Sequence, residues 1–172
     1  MDVHLNPKIG REWMLPGHRH YVFTPGQNQK RFDAGALNAN SKTLTWVTGH
    51  SKASDLFCKL VWKVAAEHRD AKRIHFIVDN YIIHSSKKTR AFLAQFGDRV
   101  VLHFLPPYGP DDNRIERVWL DLHANVTRNP RCKTIEEPMA HVVAFMRAYN
   151  QRKKLNPSLR HAIPVRESRS AV

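Results

Sequence analysis

Two short apolar runs, Arg73 to Asp79 and Val100 to Leu105, flank a segment with helical periodicity, and this order of strand, helix and strand constrains the fold more than any other feature. The intervening segment, Ser86 to Phe96, buries Phe92, Leu93 and Phe96. Upstream, Leu56, Leu60, Val61, Val64 and Ala65 recur at helical spacing to about Glu67, with Ser51 as the expected N-cap. The chain from Ser51 onward therefore alternates helices with strands, the pattern of an α/β sheet.

The first third has a different character. Val3 to Leu5, Arg19 to Thr24, Arg31 to Asn38 and Thr43 to Val47 read as strands, separated by Pro25-Gly26-Gln27-Asn28 and Asn38-Ala39-Asn40-Ser41. An antiparallel meander is the simplest arrangement. After Leu105, Pro106, Pro107, Gly109 and Pro110 enforce an irregular loop, because proline lacks the N–H and restricts the residue before it. A helix is expected to restart near Asp112, with Ile115, Val118, Trp119, Leu122 and Val126 as its apolar stripe.

The final helix opens on Thr134-Ile135-Glu136-Glu137, a capping-box pattern, and runs to Asn150 with Met139, Val142, Val143, Met146 and Tyr149 buried. The expectation is one domain over residues 1–150 and a basic tail over 151–172, which carries Arg152, Lys153, Lys154, Arg160, Arg166 and Arg169.

Charge points to the partner. Lys and Arg number 28 against 15 Asp and Glu, a net +13, so a polyanion, above all double-stranded DNA, is the natural ligand. Cys58 and Cys132 stand alone, with no zinc-ligand spacing, and are expected to be reduced and buried. No apolar run approaches a membrane span, and residues 1–20 lack the centre of a signal peptide, so a cytoplasmic protein is expected. His18 and His20 read as surface histidines, and Trp46, Trp62 and Trp119 as core rather than base-stacking platforms.

Two acids stand out. Asp79 ends an apolar strand, where ligand sites form in open α/β sheets, although Asp-Asn also starts turns. Glu116 sits in the first turn of its helix, where a carboxylate also complements the helix N-terminus. Metal-assisted phosphodiester cleavage needs hard oxygen ligands converging from separate elements, and these two acids, with 36 residues between them that include the Pro-rich loop, suit that demand. Lys87, Lys88 and Arg90 at the helix start after Asp79, and Arg114 and Arg117 flanking Glu116, are candidate phosphate contacts.

The segments Arg73-Ile-His-Phe-Ile-Val-Asp79-Asn80 with His84-Ser85, Leu105-Pro-Pro-Tyr-Gly-Pro110, and Asn113-Arg-Ile-Glu-Arg-Val-Trp119 together resemble the DDE endonuclease domain of mariner-superfamily insertion-sequence transposases. Leu5-Asn-Pro-Lys-Ile-Gly10 to Trp13, the Pro25-Gly26 turn and the strand after it resemble the same family.

The resemblance implies a ribonuclease-H-like fold whose mixed sheet has an antiparallel meander followed by alternating helices and parallel strands. It implies Mg²⁺ or Mn²⁺ held by Asp79 and Glu116 as second and third acids, and cleavage and transfer of DNA strands at transposon ends and target. It also implies a first acid just upstream of Met1, so the expectation is an N-terminally truncated domain without the family's helix-turn-helix region. Asp2 stands a few residues past that place, out of strand register.

Three readings of activity follow: the transposase catalytic domain, another nuclease on the same fold, and a non-catalytic DNA-binding remnant. A remnant would act alone or pair with a full-length transposase as an inhibitor, and a homodimer is a further possibility. A DNA partner would place a prokaryotic protein at the nucleoid.

Overall fold

A computed structural model describes residues 1–6, 15–18, 21, 24, 26–107, 113–128 and 132–155. The order is β1 (Asp2–His4), β2 (Lys30–Leu37), β3 (Leu44–Gly49), α1 (Ser54–Glu67), β4 (Ile74–Val78), α2 (Lys87–Leu93), β5 (Val100–Phe104), α3 (Ile115–Leu122) and α4 (Glu136–Leu155). Strands β1, β2 and β3 form an antiparallel meander. β4 and β5 pair in parallel with Ile74 opposite Val100, joined through α2 as the alternating pattern requires. Among the described residues the mixed sheet thus comes as two hydrogen-bonded pieces, with β1 paired to Lys30–Phe32.

Alternation along β2 sends its side chains to two cores. Ala34 and Ala36, with Val47, lie against Phe57, Leu60, Val61 and Val64 of α1, a layer that also takes in Phe76, Val78 and Val100. Leu37, with Val3 and Leu44, faces Val118, Trp119 and Leu122 of α3 and Val142 and Met146 of α4. Helices therefore cover the meander on both sides.

Polar side chains lock these layers. The Arg99 guanidinium donates to the carbonyls of Ala65, His68 and Arg69 at 3.0, 2.9 and 3.3 Å, satisfying acceptors that the end of α1 leaves unpaired. The Asn150 carboxamide joins α4 to β3, accepting from the Leu44 N–H at 2.7 Å and donating to its carbonyl at 2.8 Å.

Several boundaries move. α1 starts at Ser54 with Ala53 as its N-cap, not Ser51, and no side chain caps it, because the alanine methyl has no acceptor. The helix expected over Ser86 to Phe96 is α2 followed by a 3₁₀ turn, Ala94–Arg99, broken at Gly97, whose φ of 53° no ordinary helix admits. α3 begins at Ile115 and gives way to a π turn over His123–Thr127. α4 runs to Leu155, so Arg152, Lys153 and Lys154 are helical rather than part of a loose tail.

Thr134 does not open α4 as a full capping box. Instead the Glu137 carboxylate accepts from the Lys133 N–H at 3.3 Å.

Most of the strand expected over Arg19 to Thr24 lies outside the described residues, as do His20, Tyr108, Gly109, Pro110, Arg160, Arg166 and Arg169. Tyr21 and Thr24 are not in a strand.

Trp62 departs furthest from expectation, being 62% exposed. Its neighbours Leu60, Val61 and Val64 take the inward face of α1, which turns Trp62 outward beside an open groove lined by Val47, Cys58 and Phe92. Trp119 is buried and Trp46 packs at the edge of the same core. Cys58 and Cys132 are free and buried, and His18 is exposed.

Candidate active site at the carboxyl end of β4

Asp79 follows the last residue of β4. The strand ends there because Leu105 N–H bonds the Val78 carbonyl at 2.9 Å and the Asn80 side chain donates to the Leu105 carbonyl at 2.7 Å. Asn80 thereby ties the Asp79 turn to the start of the Pro-rich loop that leads to α3. The turn reading of Asp-Asn is realised. Asp79 Oδ1 accepts from the Tyr81 N–H at 3.1 Å and from His84 Nε2 at 3.0 Å. Oδ2 has no hydrogen-bond partner among the described residues, and the side chain is 54% exposed.

His84 lies under this carboxylate, its side chain only 14% exposed and its ring 4.3 Å from that of Phe57 in an edge arrangement. Burial pushes its pKa down, and the Asp79 charge and hydrogen bond oppose that. Its Nδ1 is buried without a partner among the described residues.

A chain of hydroxyls fixes the His84 turn: Ser54 Oγ meets Ser86 Oγ at 2.8 Å, Ser86 donates to Thr89 Oγ1 at 3.0 Å, and Thr89 donates to the Ile83 carbonyl at 2.6 Å. Thr89 is fully buried, and its N–H caps α2 on Ser86 at 3.1 Å.

Glu116 is placed by packing. Ile115 and Trp119 are one helical turn apart and dock on β2 at Gly35, where an added Cβ would lie 2.7 Å from Trp119 Cζ2 and 3.1 Å from Ile115 Cδ1. No other residue lets the indole approach so closely. Glu116, next to this seam, is turned outward and exposed; its N–H bonds the Asn113 carbonyl at 2.9 Å, and its carboxylate makes no hydrogen bond or ion pair with a described residue.

Electrostatics link the two acids. The Met1 ammonium feels the charges of Glu116, Asp33, Asp2 and Lys52, while Lys52 also acts on His84, the partner of Asp79. Lys52 is held with its Nζ 4.2 Å over the Tyr81 ring.

Hard carboxylate oxygens are the donors that Mg²⁺ and Mn²⁺ prefer, and Mg²⁺ is commonly held by one or two carboxylates with water and substrate phosphates completing its shell. Asp79 and Glu116 fit that role in donor type. Among the described residues no three potential ligands gather into a cluster. Asp2 does not supply a free third acid, since its Oδ2 is 2.6 Å from His4 Nε2.

The expected phosphate contacts divide. Lys87, Arg90, Arg114 and Arg117 are exposed, whereas Lys88 is paired with Asp55 at 2.6 Å.

Asp33 escaped the sequence reading. It is 2% exposed on β2, its carboxylate accepts from Thr48 at 2.5 Å, and burial raises its pKa. Its one signal is an acid inside the half-apolar run Phe32 to Leu37.

A family model described as DDE superfamily endonuclease matches residues 1–137. The chain belongs to that family.

It is 42% identical over 146 residues to the insertion element IS630 uncharacterized 39 kDa protein of Shigella sonnei, a match that covers 85% of this chain and 42% of that relative. Among solved structures, the Mos1 transposase paired-end complex with left transposon end superposes with a TM-score of 0.61 at 13% identity, covering 89% of this chain and 49% of that one. The Mos1 mariner paired end complex with Mg gives 0.58 at 15%, covering 93% and 51%.

A simian T-cell lymphotropic virus intasome gives 0.51 at 14%, covering 96% of this chain and 63% of that one. These neighbours bear out the ribonuclease-H-like fold class. The chain spans less than two thirds of each relative's length.

Proposed function

We propose that this domain of the DDE endonuclease family cleaves DNA strands at the ends of an insertion sequence and transfers them to a target, with Asp79 and Glu116 as ligands of Mg²⁺ or Mn²⁺. The observation that carries this reading is the Asp79 carboxylate at the carboxyl end of β4: one oxygen is immobilised by Tyr81 and His84, and the other has no hydrogen-bond partner among the described residues. When bound, the metal supplies a nucleophile at neutral pH and neutralises charge on the phosphate.

The chain's own residues do the rest. Asn80 and the hydroxyl chain hold Asp79 in one orientation, and Gly35 with Trp119 sets where Glu116 is presented. Lys87, Arg90, Arg114 and Arg117 grip the DNA backbone, aided by the basic end of α4 at Arg152 and Lys154. The Mos1 neighbours are transposase paired-end complexes, one of them with a transposon end, which supports transposon-end DNA as the partner. A homodimer on such DNA and a location at the nucleoid belong to the same proposal.

The test is metal-dependent nicking of end-sequence DNA by the full-length parent. Asp79→Asn and Glu116→Gln should each abolish nicking while leaving salt-sensitive DNA binding in place. Unchanged nicking in both variants would refute the assignment.

A further inference from the structure

We propose that His84 is a positioning residue for Asp79, donating its Nε2 proton to Oδ1 so that Oδ2 is the oxygen presented to a divalent cation. The proposal rests on the reading of Asp79 as a metal ligand and adds the means by which one of its two oxygens is selected.

Three observations carry it. The 3.0 Å contact between His84 Nε2 and Asp79 Oδ1 is of hydrogen-bond length. On the other side of the ring, Nδ1 is buried with no partner among the described residues, so a proton there would find no acceptor among them, and the neutral ring carries its proton on Nε2.

The ring itself has little freedom. It stands edge-on to Phe57 at 4.3 Å, and the carbonyl of the preceding residue, Ile83, is held by the fully buried Thr89 hydroxyl at 2.6 Å. A histidine whose one function was packing would not need this alignment. A carboxylate already bonded twice through Oδ1, by Tyr81 N–H and by His84, cannot swing that oxygen toward solvent without breaking both bonds.

Outer hydrogen bonds of this kind typically change metal affinity or activity about 10- to 100-fold when removed. They orient the carboxylate before the ion arrives.

The imidazole nitrogen shifts of His84, read by ¹⁵N NMR on the 172-residue protein at mildly alkaline pH, test the donor directly. A protonated Nε2 and a bare Nδ1 are expected, and the opposite tautomer overturns the proposal. Mn²⁺ alone is then titrated by water-proton relaxation.

His84→Phe keeps a ring against Phe57 but loses the donor and should weaken Mn²⁺ about 10- to 100-fold, whereas His84→Gln keeps an amide donor and should stay within a few-fold of wild type. Wild-type affinity in His84→Phe overturns the proposal, as does His84→Gln binding as weakly as His84→Phe. Circular dichroism of the same samples reports folding, and should His84→Phe fail to fold, the tautomer and His84→Gln decide.

Asp79→Asn separates the two ideas. If it leaves Mn²⁺ binding unchanged, the metal-ligand assignment falls and the proposal with it. If it abolishes binding while His84→Phe keeps wild-type affinity, the positioning role alone is refuted.

Discussion

Gly35→Ala tests the seam that places Glu116. The new methyl would lie 2.7 and 2.8 Å from two indole carbons of Trp119 and 3.1 Å from Ile115 Cδ1. Unstrained carbon contacts lie at about 3.5–4.0 Å, so α3 or the indole must move by several tenths of an ångström. Inserting a methyl into a packed core costs about 1–3 kcal/mol. Against this, replacing glycine in the unfolded chain returns about 0.4–1 kcal/mol, because the backbone at Gly35 is ordinary strand that alanine can adopt.

The net expectation is a loss of about 1–2 kcal/mol, a fall in Tm of about 2–8 °C for a domain of this size. Urea unfolding with an unchanged m-value measures it. In a Trp119→Phe background, which lacks the two clashing atoms, the cost should shrink by at least half. A stabilised Gly35→Ala protein, or a cost that is the same in both backgrounds, would refute the argument that the indole dictates glycine here.

Three further outcomes follow from the same geometry. Burial raises the Asp33 pKa above its ordinary 3.8, so between 3.8 and the raised value the native state binds more protons than the unfolded one. Wild-type stability relative to Asp33→Asn should therefore fall as pH rises through that window and level off above it, and a rise seen by urea unfolding would contradict the assignment. Thr89→Val keeps the shape of a fully buried side chain but strands the Ile83 carbonyl and should cost about 1–3 kcal/mol in urea unfolding, with a loss under about 0.5 kcal/mol refuting the hydroxyl chain. Lys87→Ala and Arg90→Ala should each lower the slope of log K against log salt for duplex DNA by about 1, and an unchanged slope would remove that residue from the contact surface.

Much of this was legible because hydrophobic periodicity reports local geometry. The apolar run ending at Asp79, the stripe Ile115, Val118, Trp119 and Leu122, and the meander before Ser51 correspond to β4, α3 and β2–β3. Boundaries were less legible, since they depend on which partner claims a polar group. Ser51 did not cap α1, which starts past Ala53, and α4 runs on to Leu155 although its apolar period fades after Asn150, the residue clamped to Leu44. Trp62 shows the weakness of periodicity for a single residue, since an indole in an apolar run between inward-facing neighbours can still point at solvent.

Local sequence by itself determined the two strand-helix units, the Pro-rich loop, the basic balance and the pair Asp79 and Glu116, because each depends on residue type and spacing along one stretch of chain. Only the tertiary structure decided what those acids touch. The bond from His84 to Asp79, the glycine that admits Trp119 and the burial of Asp33 and Thr89 all join residues whose neighbours are set by packing across separate elements. Solvent exclusion and hydrogen-bond pairing at those contacts are properties of the folded chain, and no one-dimensional pattern encodes them.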